Sequence, residues 1–485
     1  MYEKLIRNRL SGRYPCHMPG HKRNMAEFPM AEYYGIDITE IDGFDNLHHP
    51  EGVIKDIMER AARLFGAETY LLVNGSTGGI LSAVSAVLRR EDTLLMARNC
   101  HKSAYHAAYL RACKVRYVYP ACLEHYGICG AVSAEDVERR LRRYPEIRAV
   151  FVTSPTYDGV VSDVKGIVRQ AHARGIPVIV DEAHGAHFAL DARFPESAVD
   201  LGADLVIHSI HKTLPALTQT ALLHVQGDLV DRDRLCRFLG MYQTSSPSYI
   251  LLAAIEQCLV ILEEKGPALC EAFFRRNAVF EKRARELRHL HVLSAEAEHF
   301  RGNGLFDFDT GKKVISAAGT ALQGNELYDL LRDRYGLQME MAGQTYVTAI
   351  MTVMDSAAGF SRLADVLHEI DGTLAKDNSV SQKKIQDLVG GSAASADLQT
   401  EQAAYTVCEA IEREQETIDL EECEGRIAGE WITVYPPGIP LIVPGEIFTE
   451  ALIGKLRSCR MQGFLIEGMR GNDRKVCVVR KEIYA

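Results

Sequence analysis

No Cys-x-x-Cys pair occurs in these 485 residues. The twelve cysteines are scattered, and the closest two, Cys122 and Cys129, have six residues between them and no matching pair downstream. That spacing excludes a disulfide scaffold or a zinc ribbon and predicts reduced thiols. Several of the seventeen histidines cluster, as His17/His21, His48/His49, His101/His106, His184/His187 and His208/His211. None forms His-Glu-x-x-His, so no metal is expected. The Gly-Lys-Ser/Thr ending of a nucleotide-binding loop is missing, which excludes a nucleotide-driven motor despite the run Asp181-Glu182-Ala183-His184. No apolar run is long enough to cross a bilayer, and none follows Met1 as a leader would, so no membrane is expected and the cytoplasm is the expected compartment. With a formal charge of -10 and no Lys/Arg block or interleaved aromatic stripe, a nucleic-acid partner is not expected either.

What the chain does have is alternation. Its length exceeds what one core usually fills, so two or three domains are predicted. Pro15, Pro19, Gly20, Pro29, Gly35, Gly43 and Pro50 interrupt residues 1–50, which are expected to form an irregular arm. A helix at 52–65, a strand at 70–73, a glycine-rich turn and a helix at 80–88 open the large domain, 51–300. Further strands are predicted at 93–96, 115–119, 149–153, 177–180, 205–207 and 220–224, with helices at 133–144 and 164–174. This is the rhythm of an α/β fold with a mostly parallel sheet. A long helix at 249–287 leads to a small α+β domain, 301–389, with strands at 305–309 and 347–354 around a helix at 324–335. The polar stretch from Gly390 opens a C-terminal domain, 390–485. Its Pro436, Pro437, Pro440 and Pro444 predict a rigid loop rather than a central strand.

Lys212 and Asp181 carry the chemistry. The apolar run 176–180 reads as a buried strand that delivers Asp181 to its carboxyl end, where open α/β sheets place ligands. A second apolar run, 204–207, delivers His208-Ser209-Ile210-His211-Lys212-Thr213 to the same edge. An acid and an amine so placed suit pyridoxal 5'-phosphate: the acid keeps the pyridine nitrogen protonated and the amine forms an imine with the aldehyde. Alone, the pair reads better as a sheet-edge salt bridge. Asn74-Gly75-Ser76-Thr77-Gly78-Gly79, between a strand and a helix, supplies free N–H groups and two hydroxyls as a phosphate cradle, although a plain helix cap explains it too. His101 is placed either to stack on the ring or to cap the helix that follows it. Ala183 is small enough to pack on the opposite face. His184 is in reach of Asp181 or of the ring's oxygen, and Ser209 and His211 flank the phosphate. Lys102 is a rival imine former, or a surface cation.

Taken together, Met18-Pro-Gly-His-Lys22, Asp37-Ile-Thr-Glu40, Asn74-Gly-Ser-Thr-Gly78, Arg98-Asn-Cys-His-Lys-Ser103, Asp181-Glu-Ala-His-Gly185, His208-Ser-Ile-His-Lys-Thr213, Gln243-Thr-Ser-Ser-Pro247 and Tyr435-Pro-Pro-Gly-Ile-Pro440 resemble the bacterial ornithine/lysine/arginine decarboxylases. The segments run in family order through nearly the whole chain. The resemblance implies the aspartate-aminotransferase fold, fold type I of the pyridoxal-phosphate enzymes, with smaller α+β C-terminal domains. It implies α-decarboxylation of a basic amino acid, with L-arginine to agmatine and CO2, for polyamine synthesis, as the expected reaction. Lysine and ornithine are the alternative substrates, an aminotransferase the alternative chemistry, and a silent cofactor-binding scaffold the alternative class. It also implies that Gly75, Ser76 and Thr77 hold phosphate, that His101 stacks, that Asp181 pairs with the ring nitrogen and that Lys212 carries the imine. Ala183, His184, Ser209 and His211 complete the site, and Thr244 reaches the phosphate of a neighbouring subunit, so at least a homodimer is expected. The motif beginning at Met18 leaves no room for the wing domain of larger relatives and points to the compact form. Glu340, Asp158 and Glu430 are candidates for holding the substrate's distal cation.

Overall fold

The computed structural model describes residues 1–11, 31–374, 403–435, 438–461, 463–472 and 474–481. The Met18–Lys22 motif, His17, Pro436 and Pro437 lie outside them. The chain is mixed α/β with a large, mostly parallel sheet, as its alternation predicts. It divides into two compact units whose segments interleave. The first holds 1–87, 179–273 and 352–354; the second holds 88–178, 274–351 and 355–485.

In the first unit the strands stand in the order Glu68–Leu72, Ala221–Val225, Leu205–His208 and Val178–Asp181, the last belonging to this unit from Ile179 on. The last two are parallel, while Ala221–Val225 runs antiparallel to both its neighbours. The helix Val53–Phe65 buries Ile54, Ile57, Ala61 and Phe65 on one stripe, as a helical period requires. Its start is held by Asp45, whose carboxylate accepts from the backbone N–H groups of Glu51, Gly52 and Ile54 at 2.8–2.9 Å. The next helix, Gly75–Val87, starts five residues earlier than the sequence predicts, because the hydroxyls of Ser76 and Thr77 and two further glycines occupy its first turn without breaking it. It lies close to the sheet: a Cβ on Gly79 would stand 2.5 Å from Leu72 Cδ1.

The expected irregular arm is corrected at its beginning. Tyr2–Leu10 is a helix, and Ala31–Tyr34 is a short one. No proline or glycine precedes residue 12, so nothing breaks the first helix. Leu5 is buried in the core formed with Ile54, Phe65, Leu222, Tyr249 and Leu252, a burial contributing about 1.5–3 kcal/mol. The amino terminus donates to Glu256 at 2.6 Å.

In the second unit Ile147–Thr153, Thr93–Ala97 and Lys114–Val118 are parallel neighbours in that order. A separate antiparallel sheet orders His291–Val292, Lys312–Ser316, Tyr346–Ile350 and Met341–Ala342. The proline-rich segment is also corrected. Ile439–Ile442 is a strand despite Pro440, but it is an edge strand, where a missing N–H costs least. The central strand beside it, Ile432–Tyr435, has no proline.

Candidate active site

Two parallel strand ends build the centre of the site in the first unit. Asp181 pairs with Ile207, so the residues that follow each strand emerge side by side. Every residue of both strands is buried. Asp181 Oδ1 accepts from the Ala183 N–H at 3.1 Å. Burial pushes the Asp181 carboxyl above its usual range, opposed by Lys212 and by that N–H. The one-turn helix Ile210–Thr213 follows Ser209 and carries Lys212. Lys212 Nζ lies 3.0 Å from His184 Nε2. An ammonium can only donate, so this His184 nitrogen accepts and the ring hydrogen sits on Nδ1. His211 Nδ1 donates to the Thr220 carbonyl at 2.8 Å. Burial, aided by Lys212, holds the His211 ring below its usual range against that bond.

The phosphate-cradle residues open the Gly75–Val87 helix. Gly75 has φ +70°, a conformation only glycine adopts without strain, and the N–H groups of the first turn have no partner inside the helix. Ser76 is half-buried and Thr77 exposed. Two amides hold the preceding strand end in place. Gln219 Nε2 donates to the Val73 carbonyl at 2.5 Å, and Gln243 accepts from Val73 N–H at 2.9 Å while donating to the Leu71 carbonyl at 3.2 Å. Thr244 is exposed, and its carbonyl accepts from His48 Nε2 at 2.9 Å. The set fits pyridoxal phosphate: a helix start for an anion, a buried acid for a ring nitrogen, an amine for an aldehyde. Ser209 adds an independent sign, since its Oγ is buried and has no hydrogen-bond partner. A bound phosphate oxygen would take that donor.

Beneath these residues runs a buried polar chain that sequence reasoning missed. Thr69 Oγ1 donates to the Ala67 carbonyl and so accepts from His224 Nδ1, both at 2.8 Å. Burial, with neighbouring His208, holds the His224 ring well below its usual range, so it is neutral and its bare Nε2 accepts from His208 Nδ1 at 3.0 Å. His208 Nε2 meets Glu182 Oε2 at 2.7 Å; the same oxygen accepts from Ser197 Oγ, and Oε1 accepts from Ala198 N–H, both at 2.8 Å. Ser197 and Ala198 donate to this carboxyl, and one hydrogen lies between it and His208 Nε2. This pair ties the residue after Asp181 to the residue before Ser209. Its signal in the sequence is faint: polar side chains within or directly after apolar runs.

His101 belongs to the second unit, where it caps the Lys102–Leu110 helix by accepting from Ser103 N–H at 3.3 Å. The capping reading is therefore present. Lys102, the rival amine, pairs with Glu467 at 2.9 Å. Arg98, which the sequence reading passed over, is buried and donates to the carbonyls of Pro440 and Leu441 at 2.7 and 3.1 Å and to Glu446 at 3.1 Å. It joins the segment before His101 to the proline-rich segment. Among the distal-acid candidates, Asp158 is buried and accepts from Thr348 at 3.2 Å. Burial pushes it up to about 6. Glu340 accepts from the Tyr157 hydroxyl, and Glu430 Oε1 from Trp431 N–H at 3.0 Å.

Residues 1–322 match a family model described as "Orn/Lys/Arg decarboxylase, major domain", and residues 391–463 match "Orn/Lys/Arg decarboxylase, C-terminal domain". The chain is 31% identical over 473 residues to an arginine decarboxylase of Bacillus subtilis strain 168, covering 96% of this chain and 94% of that one. It is 25% identical to the lysine decarboxylase LdcA of Pseudomonas aeruginosa, covering 93% of this chain and 74% of that one. The crystal structure of the Francisella novicida lysine decarboxylase LdcF superposes with a TM-score of 0.83 at 19% identity, over 98% of this chain and 80% of that one, a likeness of fold.

Proposed function

Since the chain belongs to the ornithine/lysine/arginine decarboxylase family, we propose that it removes the α-carboxyl group of L-arginine, releasing agmatine and CO2, with pyridoxal phosphate held at Lys212. The observation that carries the chemistry is the Lys212 amine, 3.0 Å from His184 on the strand end beside buried Asp181. The choice of arginine is supported by the arginine decarboxylase being the nearer relative of the two named, the lysine decarboxylase the more distant. Pyridoxal phosphate, when bound, supplies an aldehyde for amines and a protonated ring that accepts the electrons left by departing CO2.

The chain's own residues then have separate tasks. Ser76, Thr77, Ser209 and the helix start beginning at Gly75 hold the phosphate. Asp181 keeps the ring nitrogen protonated; a cation there brings its raised carboxyl back to the charged form. Lys212 would anchor the aldehyde through its amine, His184 lies beside that amine at 3.0 Å, and Ala183 would pack on one ring face. His101 stacks on the other, and either His101 or Lys212 returns a proton to Cα. His211 and Thr244 complete the phosphate surroundings, Thr244 from a neighbouring subunit of a cytoplasmic homodimer. The division into 1–50, 51–300, 301–389 and 390–485 is part of the same proposal, supported by the family models ending at 322 and beginning again at 391.

The test is a competition among equal arginine, lysine and ornithine, following CO2 and products by mass spectrometry. Agmatine should dominate. Faster cadaverine or putrescine formation reassigns the substrate, and keto-acid formation dependent on an amino acceptor reassigns the reaction. Borohydride reduction followed by peptide mapping should place the cofactor on Lys212 and nowhere else.

A further inference from the structure

The second unit brings together three potential metal ligands that no local motif announces. His125 lies in the turn joining Cys122–Leu123 to Ile128–Cys129, a turn closed by Gly127 at φ +68°. His291 opens a strand of the antiparallel sheet, opposite Ser316, and Glu296 ends the one-turn helix that follows. One ligand atom from each lies within 4.8 Å of the others. Among the described residues this is the one group of three or more His, Cys, Asp or Glu side chains with that spacing.

The surroundings orient all three. Tyr126 donates its hydroxyl to Glu296 Oε2 at 2.7 Å, which leaves Oε1 turned to His291 Nδ1 at 3.2 Å. The His125 ring stacks on Phe300, with centroids 5.7 Å apart and planes at 27°, and stands edge-on to His291. Tyr126 and Leu293 anchor the flanking backbone in a small core with Ile128, Leu305 and Phe308.

We propose that His125, His291 and Glu296 form a binding site for a divalent cation of borderline softness, zinc(II), with water in the open position. Two imidazoles and a carboxylate suit that ion, whose bonds of about 2.0–2.2 Å place tetrahedral ligand atoms roughly 3.3 Å apart. The His291–Glu296 separation already has that value. Only the exposed His125 ring has to swing inward. The cation takes the His291 Nδ1 lone pair, with the ring hydrogen on Nε2, and the Tyr126 hydroxyl on the far oxygen holds the carboxylate in orientation. So bound, it clamps the 122–129 hairpin to the 291–296 segment. The site lies apart in the sequence from every residue assigned to the cofactor.

Full-length, cofactor-loaded enzyme stripped with EDTA and desalted is titrated with zinc(II) against a chromophoric zinc indicator, its accessible thiols blocked beforehand. The expected result is one equivalent of binding, weakened at least about tenfold by His125→Ala and by Glu296→Gln, with a smaller loss in Tyr126→Phe. Cobalt(II) in the same site should give visible absorption bands that His125→Ala abolishes. His125 is exposed, so that variant retains the fold, which circular dichroism checks. No zinc uptake, or the same uptake by wild type and His125→Ala, overturns the proposal. None of these readouts depends on decarboxylase activity.

Discussion

Replacing Glu182 with alanine tests the buried chain beneath the proposed cofactor site. The Glu182 carboxyl group is 3% exposed, accepts from Ser197 Oγ and Ala198 N–H, and shares one hydrogen with His208 Nε2. Each buried donor left unsatisfied costs about 1–3 kcal/mol. Removing one partner of a buried ion pair costs about 3–5 kcal/mol in all. Glu182→Ala should therefore lose about 3–5 kcal/mol, read from the urea midpoint of the holoenzyme by far-UV circular dichroism. Glu182→Gln separates the proton arrangements. With the shared hydrogen on His208, three donors converge on residue 182 and the amide NH2 must face one of them, so this variant should lose about half as much. Were the shared hydrogen on Glu182 instead, glutamine would mimic it and stability would be unchanged, reversing the assignment. A Glu182→Ala loss below about 1 kcal/mol would refute the network as a stabilising element. Because the pair spans the strand ends that carry Asp181 and Lys212, turnover should fall in both variants with little change in KM.

Three further outcomes are expected. Ser209→Ala should leave the cofactor-free protein as stable as wild type, since its buried Oγ has no partner, yet raise the pyridoxal phosphate dissociation constant about tenfold by equilibrium dialysis. Lys455→Met should stabilise the protein by about 1–3 kcal/mol at pH 7, because burial lowers this amine to about 8 from 10.5 and its Nζ has no hydrogen-bond partner. The unfolded chain binds more protons between those values, so wild-type stability rises across that window and the advantage of the variant should vanish by its upper end; an advantage independent of pH contradicts the assignment. Asp45→Ala should lose about 1–2 kcal/mol in thermal unfolding, as the cap of the Val53–Phe65 helix, with Asp45→Asn losing less at φ +71°.

By itself the sequence determined the αβ alternation and the two residues on which the proposed chemistry turns. Asp181 and Lys212 were legible because Asp181 directly follows one apolar run and Lys212 lies within six residues of the end of another, and such a run states locally that a buried strand ends there. The glycine-rich turn was legible for the same reason, although its helix starts five residues earlier than predicted. The first ten residues were misjudged because breakers beginning at Pro15 were extended backwards over a stretch containing none. Tertiary structure alone decided the antiparallel placement of Ala221–Val225, the Glu182–His208–His224 chain, the anchoring of Arg98 to carbonyls more than 340 positions away, and the meeting of His125 with His291 and Glu296. Hydrophobic periodicity reports which face of a segment is buried. It carries no record of which distant polar group that face will meet, because those hydrogen bonds are chosen only when the elements pack and every buried donor must find an acceptor.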